Sequence, residues 1–185
     1  MPLTVPDLAG PALTIRDLEP AADIDLLCDW LHDDRAQFWG MVEKPREEIE
    51  EIYTWLQEQP HLAAYIVELD GDPVALFQTW DPEVDELGTF YDRRPGDLGV
   101  HLFLADTPAR KGRTETVFDF FFEEVVSKSG ARRVVVEPDA SNEASLARLD
   151  DYGFKRGPVV QLPHKVAQYA FLDLPRLMPA SGRPR

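Results

Sequence analysis

The sequence predicts one mixed α/β domain, and three observations carry that prediction. Short runs of β-branched and aromatic residues alternate with stretches of helical periodicity. Asp70-Gly71-Asp72 joins two of the strand-like runs as a hairpin. Val134-Val135-Val136, an apolar run suited to a fully covered strand, sits between two helical stretches, so a crossover helix precedes it.

The elements follow in order. A Pro-rich leader over 1–11 precedes a strand from Ala12 to Arg16. Ile24, Leu27 and Leu31 then mark one face of a helix over Ala22 to Leu31. Ala36 to Met41 has no clear period and carries Phe38, Trp39 and Gly40, aromatics that line a pocket or seal the core. Pro45, in a first-turn position before Glu47 and Glu48, starts a helix whose Ile49, Ile52, Tyr53 and Leu56 recur at helical spacing. The hairpin strands run from His61 to Leu69 and from Val74 to Trp80. After a polar loop through Tyr91, Leu98 to Leu104 reads as a strand with His101 at its middle. Pro108 and Gly112 bracket a basic turn entering a helix that bears Val117, Phe118, Phe121, Phe122 and Val125. Glu137, Pro138 and Asp139 stop the valine strand, Ser141 and Asn142 offer helix caps, and Gly153 closes that helix before Phe154 opens another strand. One domain over 12–177 is expected, with a disordered tail over 178–185.

Composition excludes some functions. The chain has 185 residues and is 44% hydrophobic, enough for one substantial core. A formal charge of −15 argues against a nucleic-acid partner, since no basic face can dominate such a surface. The single cysteine, Cys28, permits no internal disulfide and fits a reducing cytoplasm; its neighbours Leu26, Leu27 and Trp30 suggest a core position. No apolar run approaches bilayer length, and the N-terminus lacks a signal-peptide pattern, so the expectation is a cytoplasmic protein with no membrane partner. The carboxylates and histidines show no metal-ligand spacing, and no metal is expected.

The basic turn is a candidate anion site. Arg110, Lys111 and Arg113 surround Gly112 where a helix begins and unpaired N–H groups point outward. Taken alone, ordinary surface charge is the slightly better reading.

A wider pattern bears on that choice. PGDLGVHLFLA, TP…KGRT, RRVVVEPDASN, YGF and LPHK together resemble the GNAT acyltransferase superfamily, and more narrowly its siderophore-biosynthesis branch of aerobactin-, mycobactin- and desferrioxamine-type acyltransferases. The resemblance runs from about Leu13 to Leu174. It implies the GNAT fold, a bent central mixed sheet with helices on both faces, and acyl-CoA, acetyl or succinyl, entering between splayed parallel strands at Gly99 to Leu104 and Arg133 to Glu137. The turn Arg110, Lys111, Gly112, Arg113 and Thr114 would cradle the pyrophosphate, Asn142 would meet the pantetheine, and Leu102 and Phe103 would border the acyl group, a backbone amide of Val100 to Phe103 serving as oxyanion donor. The turn departs from the superfamily pattern, with Ala109 first and Thr114 in place of its second small residue. The usual Tyr general acid is also replaced, by Leu149, with Tyr152 three residues on.

For catalysis the resemblance points to His101 and Asp139. Acyl transfer to nitrogen needs a neutral nucleophile, an oxyanion donor and a route for one proton. Histidine changes charge near neutrality, about pH 6.5 when unperturbed, and Asp139 ends the adjacent strand as a prospective acidic partner. From spacing alone a core histidine and a turn aspartate are the plainer readings. Trp39, Gln78, Trp80, Tyr91 and His164 are candidates for the acceptor pocket, with structural packing the competing reading for each. His164 and Lys165 are expected to be adjacent on a strand and so to face opposite sides. The implied reaction converts an N-hydroxylated amine or diamine, of the N6-hydroxylysine or N-hydroxycadaverine type, into a hydroxamate, in a monomer or homodimer. The alternatives are an aminoglycoside 6′-N-acetyltransferase and a non-catalytic acyl-CoA-binding protein of the same fold.

Overall fold

A computed structural model describes residues 11–175. The leader, apart from Pro11, and the tail lie outside those residues. Seven strands form one sheet: β1 (Leu13–Asp17), β2 (Leu62–Leu69), β3 (Asp72–Trp80), β4 (Asp97–Leu104), β5 (Arg133–Val136), β6 (Lys155–Gln161) and β7 (Val166–Asp173), in the order β1-β2-β3-β4-β5-β7-β6. Every neighbouring pair is antiparallel except β4 with β5. The helices are α1 (Pro20–Leu31), α2 (Arg46–Glu58), α3 (Thr114–Phe121) and α4 (Glu143–Asp151), with a short 3₁₀ turn over Asp34–Trp39.

Alternation along the strands sorts the core onto two faces. Leu76 and Phe103 point to one side, where Leu27, Leu31, Ile49 and Tyr53 of α1 and α2 cover them. Phe77, Val100, Val134 and Val136 point to the other, against Val117, Phe118 and Phe121 of α3 and Leu149 of α4. The Phe77 and Phe121 rings stack with centroids 3.8 Å apart. All four residues of β5 are buried, the three valines as a β-branched run suits and Arg133 in an ion pair with Asp97.

The hairpin turn is Asp70-Gly71, with φ of 56° and 88°, and β3 begins at Asp72. Two left-handed residues suit the right-handed twist of the flanking strands. After α3 the helix widens into a π turn over Phe122–Val126 before ending at Gly130, φ 77°. Pro45 lies just before α2, at its N-cap.

β4 and β5 set up the site. They pair over three positions, Asp97↔Arg133, Leu98↔Val134 and Gly99↔Val135, after which β4 runs on alone to Leu104 on that side. At the paired end the Arg133 guanidinium donates to both oxygens of Asp97, each at 2.7 Å, and both side chains are almost fully enclosed. Tyr91 Oη and the Arg94 amide also donate to Asp97, each at 2.9 Å. Among the described residues no helix is long and apolar enough to cross a membrane, and no cluster of His, Cys, Asp and Glu has the makings of a metal site.

Candidate active site

His101 lies on β4 just past the point where β5 diverges. It pairs in register with Gln78 of β3, so both side chains leave the sheet on the face shared by Leu76 and Phe103. Its ring is one third exposed and is walled by aromatics: Trp39 edge-on at 6.4 Å and Trp80 tilted at 6.2 Å between centroids. Trp39 is fixed in turn by an edge contact with Phe103 and by an N–H donated to Tyr53 Oη at 3.1 Å.

Trp80 depends on a glycine. A Cβ at Gly99 would lie 1.8 Å from Trp80 Cε2, so only a residue without a side chain lets the indole lie flat on β4 beside the histidine. Its Nε1–H is buried with no protein acceptor.

The acid that meets His101 is Glu137. Its Oε1 lies 2.6 Å from His101 Nε2, and Lys165 Nζ donates to the same oxygen at 3.4 Å. On the other side of the ring, Nδ1 is 3.3 Å from Gln78 Oε1. Glu137 is 2% exposed, and its Oε2 is buried without a partner. Burial pushes its carboxyl up, but the facing imidazole and then Lys165 outweigh that penalty and hold it below the ordinary carboxylate range.

This arrangement corrects the expected pairing of Asp139 with His101. Pro138 has no N–H for a ladder and ends β5; the chain rejoins β7 only through a single bridge, Asp139↔Ala167. The Asp139 carboxylate instead accepts from the amide and hydroxyl of Ser141, at 2.8 and 2.5 Å, which lower its pKa. Two further expectations change. His164 and Lys165 lie in the turn between β6 and β7, not on a strand; His164 is exposed, and Lys165 reaches inward. Tyr91 packs on Tyr169 and Phe171 at the paired end of β4, held there by Asp97. Of the proposed acceptor-pocket residues, the structure gathers Trp39, Gln78 and Trp80 around His101.

Glu137 had a signal in the sequence. It follows Val135 by two positions, so period-two alternation carries it onto the covered face at the strand end. Lys165 had none, because only the tertiary turn decides which of two adjacent residues points in.

The basic turn enters α3 with Gly112 at φ 75° and open space around its α-carbon. Arg110 is spent on the fold: it bonds the Ala105 carbonyl and donates to Thr114 Oγ1 at 2.7 Å. Lys111 is exposed, and Arg113 keeps a buried Nη1 without a protein partner. The first-turn amides over 114–116 have no preceding helical carbonyls to bond. Asn142 caps α4 by accepting from the Ser145 amide at 3.1 Å, leaving only its NH₂ to donate to a ligand. The open side of β4, the uncapped amides and the unsatisfied guanidinium nitrogen fit an extended, anionic thioester cofactor such as acyl-CoA. Leu102 and Phe103 border that opening but pack on opposite faces of the sheet.

Comparison with known proteins agrees with this geometry. Residues 19–162 match the family model of the acetyltransferase (GNAT) domain. The chain belongs to the GNAT acetyltransferase family. As a GNAT enzyme it is an acyl-CoA-dependent N-acyltransferase. An N-hydroxyputrescine acetyltransferase of Acinetobacter baumannii is 26% identical over 153 residues, covering 83% of this chain and 74% of that protein. An N(6)-hydroxylysine O-acetyltransferase of Escherichia coli is 22% identical over 174 residues, covering 87% of this chain; the GNAT chain described here spans about half, 52%, of that relative. Among solved structures, an aminoglycoside acetyltransferase AAC(6')-Ib in complex with coenzyme A superposes with a TM-score of 0.73 at 21% identity, over 88% of this chain and 95% of that one. At that identity the superposition establishes the fold alone.

Proposed function

We propose that this GNAT enzyme acylates the nitrogen of a small hydroxylated amine, forming a hydroxamate for siderophore assembly, with acetyl-CoA or succinyl-CoA as donor and in the cytoplasm. The observation that carries the reading is the imidazole of His101, held by a buried carboxylate where β4 opens away from β5. The names of the A. baumannii and E. coli relatives, both acetyltransferases of hydroxylated amines, support the acceptor class, although the second is named for transfer to oxygen.

The thioester supplies an electrophilic acyl carbon and a thiolate leaving group. The chain must then orient the amine, take its proton and stabilise charge on the carbonyl oxygen. Trp39 and Trp80 form apolar walls for an alkyl chain, and His101 accepts the proton. Backbone amides of β4 beyond Gly99, on the side without a β5 partner, can donate to the oxyanion. A hydroxylamine is far less basic than an alkylamine and arrives unprotonated near neutrality, so a modest base suffices. Lys111, Arg113 and the amides opening α3 hold the pyrophosphate.

The test is free-thiol release from acetyl-CoA and succinyl-CoA with N-hydroxycadaverine, N6-hydroxylysine, cadaverine, lysine and an aminoglycoside offered in parallel. Faster turnover of a hydroxylated amine than of its parent is expected. Release with the aminoglycoside alone, or with none of them, would reject the reading.

A further inference from the structure

Glu137 holds His101 and Lys165 shares its oxygen, and together they decide which ring nitrogen is free to act. An ionised carboxylate only accepts hydrogen bonds, so the ring nitrogen facing Glu137 at 2.6 Å must carry a proton. That nitrogen is Nε2. A neutral imidazole holds one proton, which leaves the lone pair on Nδ1, and Nδ1 faces Gln78 at 3.3 Å. We propose that Glu137 and Lys165 are positioning residues that lock His101 in the Nε2–H tautomer, so that Nδ1, on the Gln78 side, is the atom that takes the substrate proton. The inference rests on the reading of His101 as the base.

Gln78 fits the same scheme. Its amide can turn NH₂ toward Nδ1 when the ring is neutral and its oxygen when the ring is protonated, so it serves both halves of the proton cycle. Its long contact yields easily to a substrate nitrogen approaching Nδ1. In the step itself the acceptor N–H proton moves to Nδ1 as the C–N bond forms and the C–S bond breaks. The departing thiolate takes that proton back from Nδ1 of the imidazolium, directly or relayed through a water, and the ring returns to its Nε2–H form.

Lys165 works through Glu137. A carboxylate alone beside the imidazole would favour the doubly protonated ring, which cannot act as a base. The ammonium on the same oxygen offsets that pull and, after the imidazole itself, helps hold the Glu137 carboxyl below its ordinary range. The charged and titratable groups around the pair are Glu137 from the end of β5, Lys165 from the β6–β7 turn, Tyr169 from β7 and, more remotely, Asp139 through its interaction with Lys165. Tyr169 stays neutral, its hydroxyl donating to the Leu87 carbonyl at 2.9 Å while burial and then the Glu137 charge raise its pKa.

The experiment has two arms. Long-range ¹H–¹⁵N spectra of the free protein, which need no substrate, should show a protonated Nε2 and a bare Nδ1 for neutral His101. A protonated Nδ1 would overturn the inference while leaving hydroxamate synthesis standing. In the second arm, kcat/KM is followed against pH with whichever acceptor the thiol assay identifies. Glu137→Gln removes the anion and should move the acidic limb to lower pH, with kcat falling by about 10²–10⁴-fold, the range of a general base, and acyl-CoA KM little changed. Lys165→Met should move the limb to higher pH, and Lys165→Arg should restore it. Limbs that move the same way, or do not move, would overturn the inference. Lys165→Met, on a partly exposed side chain, remains informative if Glu137→Gln fails to fold.

Discussion

A tryptophan lying on a glycine is the least forgiving contact near His101. Gly99→Ala would place a methyl group inside the Trp80 ring system, and neither the fully buried indole nor the paired strand has room to move. Overpacking of this kind costs about 1–3 kcal/mol, or roughly 2–4 °C of Tm per kcal/mol for a domain of this size. Because Trp80 also walls His101, kcat should fall together with Tm, measured by thiol release and thermal unfolding; a variant with normal Tm and kcat would refute the contact. Residues were unevenly legible at this scale. His101 and Gln78 fall on regular strands, where position fixes direction. Glu137 and Asp139 straddle a proline; alternation from Val135 carries Glu137 inward, but the same period would carry Asp139 there too, and only the broken ladder after Pro138 removes it.

The β4–β5 pairing is short, and its paired end is secured by a buried ion pair. Asp97→Asn would leave the Arg133 guanidinium enclosed without its counter-charge, a loss of about 3–5 kcal/mol. The sign of the pH dependence follows from the direction of the shift. Burial raises the Asp97 carboxyl, but Arg133, the Arg94 amide and Tyr91 lower it further, so its folded value lies below its unfolded one. Its contribution is therefore complete above the ordinary carboxylate range, near 4, and is lost as pH falls through the depressed folded value. Unfolding of wild type and Asp97→Asn, measured from pH 7 down to about pH 2, should converge at the acid end; a constant gap would refute the assignment. Strands and amphipathic helices were readable because their periods are regular. The π turn in Phe122–Val126 was not, since a local shift of the backbone hydrogen bonds leaves the apolar pattern of FDFFFEEVV unchanged. The turn at Leu162–Lys165 was missed although Pro163, with no N–H to give a ladder, marks it.

At the scale of the molecule, a surface of net charge −15 carries a small basic turn, the one proposed to hold the anionic cofactor. The long-range field attracts a cationic acceptor and opposes the cofactor, which the local contacts of the turn must overcome. Raising ionic strength from about 0.01 to 0.15 M shortens the Debye length from about 30 to 8 Å. The KM of an acceptor bearing a free ammonium should therefore rise across that range, while that of an uncharged hydroxylamine should stay nearly flat; equal responses would remove electrostatic capture from the account. The domain class and the basic turn were legible in the sequence, because each is carried by local signals. The direction of Lys165 was not, since it is set by a hairpin folding back across the sheet.

The three residue pairs between β4 and β5 also divide the sheet unevenly. Four strands lie on one side of that line and three on the other, joined along a seam shorter than any single strand of the first group. Whatever fills the gap beyond Gly99 completes the seam as well as occupying a groove. With the donor in that gap, as proposed, donor affinity and the cohesion of the two halves would be one linked free energy, and the enzyme would be held together most firmly at the moment it is loaded.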